Sequence, residues 1–148
     1  MPGVGSTAGY SGTPLVKKLG IKPGDKLAMV NEPLAFPREL VGLPPTVEVM
    51  SADENPKPGT INVIILFLKT QAEMKKLLPA MKSKIAQNGM IWTAWPKKAS
   101  RVQTDLDENI IRDKGLSIGL VDVKVCAVNE VWSGLKFVIP VKDRKKNL

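Results

Sequence analysis

Polar residues gather where apolar runs end: Asn31-Glu32, Ser51 with Asp53, Lys69-Thr70, and the stretch from Trp95 to Ser100 that holds Lys97 and Lys98. Their chemistry is bounded by what the chain lacks. It has no histidine, the commonest general base and metal ligand. Its one cysteine, Cys126, excludes an internal disulfide, a zinc site of the usual kind and a cysteine–histidine nucleophile pair. No metal is therefore expected, and the residues name no cofactor. Catalysis would fall to carboxylates and lysines, with Glu32 or Asp53 as base and Lys69 or Lys97 stabilising negative charge. Binding asks less. Lys97, Lys98, Ser100 and Arg101 can donate to a phosphate or carboxylate beside Trp95, although the same run also suits a solvated basic loop.

The 148 residues carry a formal net charge of +8, which draws anions of many kinds. In the tail "VKDRKKNL" (141–148), Lys142, Arg144, Lys145 and Lys146 less Asp143 give +3 of it. A small anionic ligand, a nucleotide or a protein partner fits this balance. Nucleic acid ranks below them, because no aromatic-interleaved basic motif or helix-turn-helix pattern is present. The length suits one domain, 1–148, with a Gly/Ser-rich arm over 1–12. No apolar run reaches the ~18 residues of a membrane span, and "MPGVGSTAGYSGTP" lacks the regions of a signal peptide. The expected setting is the cytoplasm.

The elements that must position these residues read as follows. Thr13 is placed to cap a short helix with Pro14 at its first position. "KLAMV" and "TVEVM" are strands, with a short helix in "FPRELVGLPP" between them. "INVIILFL" is apolar throughout, as in a parallel strand covered on both faces. A helix starts at the capping box Thr70…Glu73 and carries Met74, Leu77, Leu78, Met81 and Ile85 as a stripe. Pro79 should kink or divide it, and Asn88-Gly89 should end it. "MIWTAW" is the next strand, with Met90, Trp92 and Ala94 on one face and Ile91, Thr93 and Trp95 on the other; both tryptophans should pack in or near the core. Another helix is capped by Asp105, with Glu108 at the box position, and stopped by Gly115. "LVDVKVCAV" and "LKFVI" flank the turn "NEVWSG", which would hold Glu130, Trp132 and Ser133, with the indole either exposed as an interaction anchor or packed against the neighbouring strand. Asp122, Lys124 and Cys126 should share a face, with Cys126 a structural thiol.

Alternating strands and helices predict a three-layer, Rossmann-like α/β fold, its mostly parallel sheet of about six strands closing with an antiparallel hairpin. Ligands of such sheets bind beyond the strands' carboxyl ends. Asn31, Glu32, Lys69, Thr70, Trp95, Lys97, Lys98 and Ser100 should converge there. Tyr10, in an arm too polar for the core, could close over them.

"LGIKPGDKLAMV" and "GLVDVKVCAVNEVWSGLKFV" resemble the first strand's lead-in and the closing hairpin of class I methyltransferases. The resemblance implies a site for S-adenosylmethionine, but that family has a glycine-rich turn after the first strand where this chain has "VNEPLAF". "GYSGTPLVKKLGIKPG", "WPKKAS" and the closing hairpin also resemble a family of short bacterial proteins catalogued as a domain of unknown function. That likeness implies the same fold and transfers no activity. The resulting expectation is a non-catalytic binding module, with a divergent methyltransferase or other carboxylate and lysine enzyme as the alternative.

Overall fold

The computed structural model describes residues 13–51, 54 and 56–145. In chain order they form α1 (Leu15–Lys18), β1 (Lys26–Val30), a 3-10 turn (Phe36–Glu39), β2 (Glu48–Ser51), β3 (Ile61–Phe67), α2 (Gln71–Lys82), β4 (Ile85–Pro96), a 3-10 turn (Lys98–Ser100), α3 (Glu108–Ser117), β5 (Val121–Ala127), β6 (Trp132–Val138) and a last 3-10 turn (Val141–Asp143). The six strands make one sheet in the order β2-β1-β3-β4-β6-β5. The first four neighbours are parallel, and β6 runs antiparallel to both β4 and β5. This is the three-layer α/β fold expected. The link 128–131 is too short to return a chain for parallel pairing, so the last pair must be a hairpin. No helix among the described residues is long and apolar enough to cross a membrane.

Val63, Ile64, Ile65 and Leu66 are fully buried, because side chains on both sides of β3 meet apolar partners. On one face Ile64, Leu66, Ile91, Trp95 and Phe137 pack with Met74, Leu78 and Met81 of α2 and Ile111 of α3. On the other, Val63, Ile65, Phe67, Trp92 and Ala94 pack with Leu15, Val16, Leu19 and Phe36. Strand alternation therefore divides the tryptophans as expected, and both are core. Trp92 donates its indole N–H to the Leu19 carbonyl at 2.8 Å, which satisfies the one polar atom of a fully buried ring.

Several signals that depend only on neighbouring residues hold. Thr70 accepts from the Glu73 amide and Glu73 reaches back, the full capping box, worth ~1 kcal/mol. Gly20 and Gly24, at φ +76° and +83°, close α1 and the turn before β1. α1 starts one residue later than expected: Pro14 has extended backbone and is itself the N-cap, without a side-chain cap from Thr13.

Other readings are corrected. α2 is a single helix across Pro79 rather than two short ones, held to the sheet by Met74 and Leu78 before the proline and Met81 after it. It ends at Lys82, and Ile85 through Gly89 belong to β4 instead. Ile61 pairs with Ile85 but Val63 pairs with Met90, so residues 86–89 bulge out of the ladder. Gly89 is needed there for space rather than for a helix stop, since a Cβ would sit 2.9 Å from the Ile61 carbonyl oxygen. Asp107, not Asp105, caps α3 by accepting from the Ile110 amide. Gly115 lies inside α3 and gives room to the Phe137 ring, while Gly119 at φ +88° follows the helix end. Trp132 opens β6 and is buried, leaving 128–131 as the link. A bulge between Asp122 and Lys124 reverses one side chain, so Asp122 lies opposite Phe137 and faces α3, where Arg112 Nε donates to it at 2.9 Å. Lys124 and Cys126 keep the other face. Burial raises the half-buried Cys126 thiol's pKa, partly offset by Lys18 and Lys124.

Candidate functional site

The carboxyl ends of β1 and β3 and the amino end of β6 surround a cleft of about 530 Å³. Each wall follows from local sequence. β1 ends at Asn31, which takes the left-handed conformation at φ 57°, tolerated by asparagine, and the chain turns through Pro33. The first 3-10 turn then buries Phe36 completely beneath β3, its ring 4.8 Å from Phe67. Phe67 meets Trp132 edge-on, ring centroids 5.0 Å apart at 89°. Phe67 and Trp132 thus form an aromatic wall, with Val102, Val131 and Pro33 completing the apolar lining.

The polar lining is Asn31, Glu32, Lys69 and Glu73. Glu73 is committed to the turn, accepting from the amides of Lys69 at 2.9 Å and Thr70 at 3.2 Å. The α2 N-terminus is occupied a second time, because Gln71 donates its amide to Asp105 at 2.8 Å. Thr104 donates to the Lys69 carbonyl, fastening the loop after β4 to the same corner. The hairpin is tied to the 3-10 turn after β1: Asn129 accepts from the amides of Val131 and Trp132 and donates to Glu39 at 3.0 Å. The cleft is therefore braced on both sides. Both helix N-termini nearby carry protein carboxylates, Glu73 and Asp105 on α2 and Asp107 on α3, so neither is free to take a ligand's anionic group. Two carboxylates and one ammonium line the space. Among the described residues no three or more His, Cys, Asp or Glu gather as metal ligands.

Of the residues expected at this edge, Asn31, Glu32 and Lys69 line the cleft. Thr70 stands beside it with its hydroxyl spent on the cap. Trp95 is in the core under α2 and α3, away from the cleft. Lys97 gives its amide to Val131 at 2.7 Å, and Ser100 donates its hydroxyl to the Lys97 carbonyl at 2.6 Å. Neither these two nor the exposed Lys98 lines the cleft. Tyr10 and Asp53 lie outside the described residues. Sequence reasoning missed Phe67, Val102, Val131 and Trp132. Phe67 carries a signal as the last residue of its strand, whereas Trp132 stands within "NEVWSG", a stretch that reads as a turn although β6 begins at the indole.

The strand order and an edge cleft of this kind define a methyltransferase-like Rossmann fold. Among solved structures the chain is similar to a Sulfolobus solfataricus protein assigned as a type 11 methyltransferase (TM-score 0.61, 10% identity, 90% of this chain and 94% of that one). It is also similar to a Haloferax volcanii protein assigned as a methyltransferase and solved with the Trm112 methyltransferase activator (0.58, 8%, 85% and 86%). A third is the TehB-like SAM-dependent methyltransferase of Corynebacterium glutamicum (0.53, 7%, 84% and 85%). At such identities the likeness is one of fold. No family model and no curated protein matches the chain, so the likeness to the domain-of-unknown-function family carries no assignment.

Proposed function

We propose that the chain is a binding domain of methyltransferase-like fold, and that its cleft takes a small, ring-bearing zwitterion. One observation carries the reading: the chain after β1. From Asn31 to Val41 it contains no glycine, and it buries Phe36 under Phe67 rather than presenting a run of free amides. The anionic ligand expected from the sequence is narrowed by the lining. Lys69 is the one cation there, so it takes the ligand's anionic group, while Glu32 takes a positive group and Phe67 with Trp132 flank a ring. Nucleotides lacking a cationic group fit less well.

The second reading is an S-adenosylmethionine-dependent methyltransferase. It is favoured by the described activities of the fold's neighbours, and that cofactor is itself a ring-bearing zwitterion. Calorimetric titration with S-adenosylmethionine, S-adenosylhomocysteine and a set of nucleotides separates the two. Binding without methyl transfer to any added nucleophile supports a binding domain, and transfer supports the enzyme. Lys69→Ala is expected to weaken the bound zwitterion tenfold or more, the scale of one charged hydrogen bond, without lowering the unfolding temperature. Equal affinity in that variant, or preference for a purely anionic ligand, would sink the assignment.

A further inference from the structure

α3 packs against β5 and β6 on one face of the sheet; on the opposite side Trp132 and Gly134 are buried, and the described elements leave open the part that holds Lys124 and the half-buried Lys136. On that open side the register sets Lys124 directly across from Lys136. Like charges in that position are destabilising. Lys22, in the turn before β1, completes the group. Burial lowers the Lys136 ammonium's pKa, with Lys124 and Lys22 adding to the effect; Lys18 and Lys124 are the cations acting on Cys126. Lys18 also donates to the Ala127 carbonyl at 2.9 Å, which anchors α1 beside β5.

Among the described residues both ion pairs are made by Arg112 under the other face, and Lys22, Lys124 and Lys136 have none. Asp25 is near Lys22 but turns its carboxylate to that residue's own amide. A sheet that keeps an avoidable cross-strand repulsion in the open holds a surface suited to an anion.

We propose that Lys22, Lys124 and Lys136 form a docking strip for the phosphate backbone of a nucleic acid. The strip is an open strand surface, which suits an extended polyanion better than an enclosed small anion. The chain's charge of +8 draws such a partner from a distance. A protein partner would need an apolar centre to its interface, and here the apolar side chains, Val121 and the half-buried Val138 across from it, lie at one end of the strands while the lysine pair holds the middle. Phosphates seated between Lys124 and Lys136 turn their repulsion into a bridge. The strip shares no residue with the cleft, so the two readings stand or fall separately.

Fluorescence anisotropy of labelled duplex DNA and a matching RNA, titrated over a salt series, tests the proposal. Three neutralised phosphates give a log–log salt slope of about −2.7 on duplex DNA, and Lys124→Gln/Lys136→Gln reduces it to about −0.9. Removing the repelling pair leaves the unfolding temperature equal or higher, so weakened binding cannot be laid to misfolding. Lys97→Gln/Lys98→Gln, on the loop after β4, should leave the slope unchanged. An unchanged slope in the strip variant, or a loss confined to the loop variant, overturns the proposal. So does the absence of binding to either oligonucleotide at low salt, and so does binding of inorganic pyrophosphate alone, which would make the strip a small-anion site.

Discussion

Thr93 sits at the centre of β4, fully buried, and its hydroxyl is the one buried side-chain polar atom among the described residues without a partner. Its neighbours in the ladder are Leu66 and Leu135, which offer the hydroxyl no side-chain acceptor. An unpaired buried polar group costs about 1–3 kcal/mol. Thr93→Val keeps the branched shape and removes that cost. It should therefore raise stability by about 1 kcal/mol, seen as a higher denaturant midpoint at unchanged slope; a lower midpoint would mean that the hydroxyl has a partner. Single residues also mark where the sequence misled. Asp105 and Asp107 are both good caps by type, and only the fold decides that one serves α3 while the other crosses to the amide of Gln71.

At the scale of elements, some of the signals confined to neighbours in the chain were legible. The Thr70–Glu73 box, the glycine turns and the strand alternation of β4 all read correctly. Glycines required by distant contacts did not. Gly89 and Gly115 look like helix stops, yet the first makes room for the Ile61 carbonyl and the second for the Phe137 ring. Gly115→Ala tests this. In an open helix the change gains up to about 1 kcal/mol. Here the new methyl would lie 2.2 Å from Phe137, so the protein should lose about 1–3 kcal/mol in urea unfolding. The same limit explains the site. Asn31, Glu32 and Lys69 could be placed from strand ends alone, whereas Trp132 and Val102 reach the cleft only through the hairpin and the fastened loop.

Across the whole molecule, charge is distributed by face. The α3 side pairs Arg112 with Glu108 and Asp122, while the open side of β5 and β6 gathers lysines. Lys136 makes this measurable. Its pKa lies below the ordinary lysine value of 10.5, chiefly through burial, so the folded state disfavours the protonated form. That cost is present below the folded pKa and fades as pH rises to the ordinary value. Relative to Lys136→Met, the wild type should be at its greatest disadvantage near neutrality, and the gap in unfolding temperature should narrow toward about pH 10. A gap constant with pH would remove the charge from the explanation.

The bulge at Asp122 and Lys124 reaches beyond the pairing of one arginine. β5 is an outer strand, with Val121, Val123 and Val125 all partly exposed. A straight seven-residue strand of that composition would offer a second chain an unbroken row of amides and carbonyls. The extra residue twists and interrupts that row, and Lys124 adds a charge at the break. One misfit in the ladder thus aims Asp122 at α3 and also denies a neighbouring molecule an in-register edge on which to build.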